Sequence, residues 1–184
     1  PLALSVFAQE KKDIYAEAEK YINQEKGVAD VEQALEGARD IIAEMVNENT
    51  EVRGEMRKLF WEKGIYTSKV ITGKEQEAQK YKDYFDWSEP VSKAPSHRVL
   101  AMRRGEKEMF LTLDLAPPHE DAIDILERHF VKARNESADQ VKIAIKDAYK
   151  RLLKPSMETE IRLLSKQKAD EAAIKVFVEN IRQL

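Results

Sequence analysis

The 184-residue chain has no cysteine. That excludes disulfides, thiolate zinc sites and cysteine nucleophiles, and it fits a reducing, cytoplasmic setting. Glycine and proline number only six each, too few for a disordered or loop-rich β chain. No apolar run approaches the roughly 20 residues of a membrane helix. The opening "PLALSVFAQEKK" is too short for a secretory signal and lacks its basic flank. No membrane partner is therefore expected. The glycines never come closer than nine positions, so there is no P-loop, no GxGxxG and no GxSxG elbow. His97, His119 and His129 form no i,i+4 pair and no HExxH, which argues against a helical zinc site. The acidic residues are spread along helix faces and nominate no dyad. The expectation is a protein without catalytic residues, metal or cofactor.

What is present is charge and helical periodicity. Apolar residues make up 42% and charged residues 35%, enough for a core under a highly charged surface. The net charge of −3 is uneven: residues 1–65 sum to −5, 66–107 to +3, 108–127 to −6 and 128–184 to +5. The two positive stretches read either as solvated helix faces or as local nucleic-acid surfaces. The chain opens on Pro1 rather than Met and stops at "VFVENIRQL" in mid-pattern, so the reading expects a piece of a longer protein.

The fold class expected is mainly α and multihelical, with a small β element. Stripes at helical spacing run through Leu2, Val6 and Phe7, then through Ile14, Ala18, Tyr21 and Ile22, with Gly27 as a stop. Asp30 should cap a helix with Gln33 completing a capping box. Its apolar face is Val31, Ala34, Leu35, Ala38, Ile41, Ile42 and Met45, with a close helix crossing at Gly37. Thr50 should cap the next helix, which ends at Gly64. The β-branched run 65–72 looks extended, and 109–115 alternates through Met109, Leu111, Leu113 and Leu115. The second strand stops at Pro117 and Pro118; 65–72 is its expected partner, with a strand from the rest of a longer protein as the alternative. "KEQEAQKYKDYF" reads as a short helix and "DWSEPVSKAPS" as a loop. Further helices follow at Ala122–Leu126–Phe130–Ala133 and, behind a Ser137/Gln140 capping box, at Val141–Ile145–Ala148–Leu152. Pro155 should interrupt. Beyond it lie a stripe at Ile161 and Leu164, a break near 166–170 where Lys168 spoils the pattern, and a stripe at Ala173, Val176, Phe177, Ile181 and Leu184. The sub-division expected is 1–64 helical, 65–117 mixed and 118–184 helical.

Two stretches could carry function. "KYKDYFDWSEP" (80–90) interleaves Lys80 and Lys82 with aromatics, as single-strand binders do. Helical anchoring of Tyr81, Tyr84 and Phe85 explains the same pattern. "PSHRVLAMRRGEKE" (95–108) reads as a two-turn helix capped by Ser96 and ended by Gly105. Val99, Leu100 and Met102 form its apolar arc. Arg103 falls inside that arc and should be half-buried and paired. His97 and Arg104 share the outer side, with Arg98 at the edge. The nucleic-acid candidates are Arg98, Arg104, Lys107, His97, Lys80 and Lys82.

"EKGVADVEQALEGARDIIAE" (25–44), "GIYTSKVITGKEQEAQKYKDYFDWSEP" (64–90), "PSHRVLAMRRGEKE" (95–108) and "KADEAAIKVFVENIRQL" (168–184) together resemble the bacterial Tex family of transcription accessory proteins. The four blocks run in order along the whole chain. The resemblance implies the helical N-terminal part of such a protein, ahead of an RNase H-like (YqgF-type) domain, helix-hairpin-helix modules and an RNA-binding OB fold. It implies nucleic acid (RNA or DNA), the RNase H-like domain of the same chain and the transcription machinery as partners. It carries no catalytic residue onto this stretch. The function expected is a helical scaffold with a weak accessory nucleic-acid surface, or a purely architectural docking unit.

Overall fold

A computed structural model describes residues 1–182. Its helices are α1 (Leu2–Phe7), α2 (Ile14–Glu19), α3 (Val31–Glu48), α4 (Thr50–Lys63), α5 (Ser96–Lys107), α6 (His119–Phe130), α7 (Glu136–Ala148) and α8 (Lys154–Arg182). Three short strands, β1 (Ile65–Val70), β2 (Asp86–Pro90) and β3 (Leu111–Ala116), make one antiparallel sheet in the order β2-β1-β3. The fold is mainly α with a small β element, and β1 pairs with β3 along its length. Among the described residues no helix is long and apolar enough to cross a membrane. The chain divides into two compact units, each assembled from two separated stretches.

The first unit comprises Pro1–Met56 and His119–Pro155. Asp30 caps α3 by accepting the Gln33 N–H at 2.9 Å, and Gln33 Oε1 accepts the Ala29 N–H at 2.7 Å. The buried face of α3 is Ala34, Leu35, Ala38, Ile42, Ala43 and Val46. Ile41 turns outward at 54% exposure, because the face advances in steps of three and four and does not widen to include it. α3 packs against α7, whose Ala138, Val141, Ala144, Ile145 and Ala148 are buried, and α1 lies on both. Alanines on the two facing stripes let the helices approach closely. Gly37 is not the reason: a Cβ there would meet nothing within 4 Å.

Several caps differ from expectation. Asn49, not Thr50, accepts the Val52 N–H at 3.0 Å and opens α4. Asn135, not Ser137, caps α7 through the Ala138 N–H at 2.9 Å. Ser137 and Gln140 are buried, and Gln140 accepts from Arg39 at 2.6 Å. In both cases an asparagine at the half-extended boundary position wins over a hydroxyl one or two residues on. Gln9, in left-handed backbone at φ 54, joins the loops: its amide donates to the Phe130 carbonyl at 2.5 Å and accepts from the Lys132 N–H at 2.7 Å. Asn135 donates to the Gln9 carbonyl at 2.8 Å.

Pro155 does not break the helix. A π-turn at Tyr149–Leu153 precedes it, and Pro155 falls in the first turn of α8. The wider i→i+5 bonding accommodates the missing N–H and shifts the phase by one residue. Leu153 is therefore fully buried, whereas the expected Leu152 is only half-buried.

The second unit comprises Arg57–Pro118 and the chain from Ser156 on. The sheet buries Tyr66 and Ser68 of β1 beside Leu111, Leu113 and Leu115 of β3. Burial pushes the Tyr66 phenol above its ordinary pKa. Met109 is not part of that face. It stands in left-handed backbone at φ 59 and is 72% exposed, forming the turn between α5 and the strand. β2 was expected as loop; it forms because Trp87 and Glu89 take the register opposite Ser68 and Tyr66. "KEQEAQKYKDYF" holds a 3₁₀ helix, Gln79–Tyr84.

β3 is a sheet edge, and side chains meet its outward backbone groups. Glu158 accepts the Leu115 N–H at 3.2 Å, and Arg162 donates to the Leu113 carbonyl at 3.5 Å. Arg162 also pairs with Glu106 and, at 3.7 Å, with Glu158. α8 presents Met157, Ile161, Ser165 and Ala169, one residue per four, as its inner face. The helix runs on through 166–170 without the expected break. Lys168 lies beside that inner row, its ammonium 3.8 Å from the centre of the Trp61 ring, and Lys166 pairs with Asp170 one turn on. The apolar residues Ala173, Val176, Phe177 and Ile181 are exposed, not inward, since nothing within the described residues covers them. Leu184 lies outside the described residues.

Candidate nucleic-acid interface

α5 belongs to the second unit and runs for 12 residues, longer than the two turns expected. Pro95 occupies the N-cap position and no side chain caps the helix, so Ser96 is its first residue and not a cap. Gly105 lies inside the helix and is buried: a Cβ there would stand 2.5 Å from Leu111 Cδ1. It permits close packing of α5 on β3 and does not end the helix. Val99, Met102 and Gly105 make the inner face.

The outer face is basic. His97, Arg104 and Lys107 are exposed, and at about 100° per residue they fall with Leu100 on one side. None of the three makes a side-chain hydrogen bond or ion pair among the described residues. Arg103 is half-buried and leans toward Glu106 at 3.9 Å. Beside this face opens a groove of about 760 Å³ lined by Leu100, Arg103, Arg104, Lys107, Lys166 and Asp170, together with Glu106 and Glu108. Most of its charges are matched. Arg162 holds Glu106, Asp170 holds Lys166 and Lys80 holds Glu108. Hydrogen bonding from Lys80 keeps the Glu108 carboxyl below the usual carboxylate range, with a smaller contribution from nearby Arg104. Arg104 and Lys107 are the cations left over.

The remaining candidates are engaged elsewhere or stand apart. Arg98 donates to the buried Glu89 carboxylate at 3.0 Å and lies 5.2 Å from the centre of the Trp87 ring. It braces α5 against β2. Lys80 is 2.5 Å from Glu108 and lies near the Tyr81 and Phe110 rings. Lys82 is exposed on the 3₁₀ helix. Tyr81 is buried, so this segment is an aromatic anchor more than a stacking platform. Lys166, a wall of the groove, had no signal in the sequence. It lies on another helix, far along the chain from Arg104.

Fold and site define a mainly helical region carrying a small sheet and one helix with an unpaired basic face. The family model described as Tex central region-like matches residues 9–177, and the chain belongs to that family. The description names a central region, where the resemblance implies an N-terminal one. The chain is 39% identical to an uncharacterized protein, YdcI, of Bacillus subtilis, 31% to protein tex of Bordetella pertussis and 32% to the transcriptional accessory protein Tex of Neisseria gonorrhoeae. Each alignment covers all of this chain but only 25–26% of the relative, so the chain spans about a quarter of their length.

Proposed function

We propose that this chain is a helical scaffold region of a cytoplasmic transcription accessory protein, and that the outer face of α5 is a weak accessory surface for nucleic acid. The observation behind this reading is the row His97, Arg104 and Lys107, unpaired and exposed beside a groove whose other charges are matched. Unneutralised cations along one helix face suit a phosphate backbone, which rewards positive charge without demanding sequence. The names of two relatives, protein tex and transcriptional accessory protein Tex, support the setting. In this reading the principal grip on RNA or DNA belongs to other domains, and an RNase H-like domain of the same protein and the transcription machinery are partners. No catalytic step is assigned to these residues.

A second reading has its own observation. Ile174, Phe177, Val178 and Ile181 recur at i, i+3, i+4 and i+7 on α8 and are 63%, 65%, 39% and 54% exposed. Such a stripe suits a docking seam, and would make the region purely architectural.

Titration with labelled single- and double-stranded RNA and DNA at two salt concentrations separates the two. Accessory binding should weaken steeply with salt, and Arg104→Ala or Lys107→Ala should each reduce the slope of log K against log salt by roughly 0.7–0.9. Arg103→Ala should lower the melting temperature instead. Absence of binding at low salt would leave only the docking reading.

A further inference from the structure

A second constellation lies in the first unit. Glu51 and Glu55 stand one turn apart on α4, so both carboxylates leave the same side of the helix. His129 reaches the same point from the last turn of α6. One carboxylate oxygen from each glutamate and one imidazole nitrogen all lie within 4.8 Å of one another. His129 Nε2 is 2.7 Å from Glu55 Oε1, and the two side chains are 21% and 40% exposed. Arg128 offers Glu55 a looser partner at 3.8 Å, but its side chain is 71% exposed. Glu51 has no hydrogen-bond or ion-pair partner among the described residues. Like charges at i,i+4 repel and weaken a helix, and the exposed Arg128 offsets this pair only in part.

We propose that Glu51, Glu55 and His129 form a divalent-metal site of the zinc class. Two carboxylate oxygens with one imidazole nitrogen are a borderline donor set, which favours Zn²⁺ over the all-oxygen preference of Mg²⁺ or Ca²⁺. Three protein ligands leave a fourth position for water. With metal bonds of about 2.0–2.2 Å the imidazole nitrogen and the Glu55 oxygen would sit roughly 3.0–3.5 Å apart. Glu55 therefore withdraws by less than about 1 Å from its present hydrogen bond, a movement open to a half-buried side chain. Arg128 swings into solvent as the ion takes over its role. The site fastens α4 to α6 and acts structurally. Histidine spacing could not reveal it, because His129 lies 74 positions from Glu55 along the chain.

Calorimetric titration of the chain with Zn²⁺, alongside melting curves, tests the site. The expected result is one ion per chain at micromolar or tighter affinity, with little heat from Mg²⁺. At a hundredfold excess over Kd the melting temperature should rise by roughly 5 °C or more. Glu51→Gln leaves the His129–Glu55 bond in place, so it should fold normally and weaken Zn²⁺ at least about tenfold. His129→Ala should abolish the zinc-dependent rise, whereas His97→Ala and His119→Ala should leave it intact. No stoichiometric binding, or equal affinity in the parent chain, Glu51→Gln and His129→Ala, would overturn the proposal and mark any zinc as adventitious.

Discussion

The two units are held together by different chemistry. In the first, alanine-lined helix faces pack directly, and a neutral junction at Gln9, bonded to Phe130, Lys132 and Asn135, joins the loops beside bonds that involve ionisable side chains, Arg39 to Gln140 and His129 to Glu55. In the second, ionised side chains do the equivalent work, with Arg162, Glu106 and Glu158 gathered at the edge of β3. The difference follows from what each must satisfy. A helix bonds its own backbone, so its neighbours can be apolar. A sheet edge leaves donors and acceptors facing outward, and something polar must meet them. The charge gathered at the β3 edge is therefore first a folding requirement, whereas Arg104 and Lys107 on α5 are left for a ligand.

Space sharpens the same contrast, and it predicts the largest effect. A Cβ at Gly64 would stand 2.0 Å from the Phe60 carbonyl oxygen, where α4 gives way to β1. Backbone cannot yield as a side-chain tip can, so Gly64→Ala should cost roughly 3 kcal/mol, read from the midpoint of urea unfolding. Gly37→Ala, in open space on α3, should instead stabilise by up to about 1 kcal/mol. Similar values for the two would erase the distinction between a loosely and a tightly surrounded helix.

Next in size is Arg162→Ala, which removes a cation shared by the part-buried Glu106 and Glu158 and the side-chain donor to the Leu113 carbonyl. A loss of about 2–3 kcal/mol is expected. Arg162→Lys should recover little, because one ammonium cannot reach a carbonyl and two carboxylates at fixed angles. In the first unit, Gln9→Ala removes neutral bonds only, and about 1–2 kcal/mol should be lost. Gln9→Gly should lose somewhat less, since glycine tolerates φ 54 without strain. If Gln9→Ala proved costlier than Arg162→Ala, the assignment of charge as the stronger fastening would fail.

Legibility in the sequence followed the range of each interaction. The helices, the two strands near 65–72 and 109–115 and the inward Arg103 come from local periodicity and were readable, while the antiparallel sense of the pairing was not. So was the shared face of His97 and Arg104, since seven residues make two helical turns. Caps were misplaced because Asn49 and Asn135 compete with nearby hydroxyls on equal local terms. Gly105 was read as a stop because its cause, Leu111 pressed against the helix, belongs to the next element. Lys168 was read as a break because its cause, the Trp61 ring, lies on α4. The edge-satisfying role of Arg162 and the fate of Arg98 against Glu89 were likewise invisible, each depending on tertiary neighbours. α5 therefore showed its charge in the sequence but not which charges were already spent.

The smallest effect tests whether charge matters in the second unit by itself or only where burial forces it to. Lys80 and Glu108 pair at 2.5 Å on the open surface. The hydrogen bond lowers the Glu108 pKa and raises that of Lys80. A lowered carboxylate pKa stabilises the fold above its ordinary value and is lost as pH falls through the folded one. A raised lysine pKa stabilises below its ordinary value and is lost as pH rises through the folded one. The pair should thus contribute on a plateau across neutral pH, and that contribution should be slight because solvent and salt screen it. Lys80→Ala should shift the melting temperature by barely more than experimental error at pH 7 and low salt. The shift should vanish both in acid below the folded Glu108 pKa and in molar salt. A shift as large as that of Arg162→Ala would mean that exposed charge fastens this unit as strongly as buried charge. The edge of β3 would then no longer explain why the second unit gathers Arg162, Glu106 and Glu158 there.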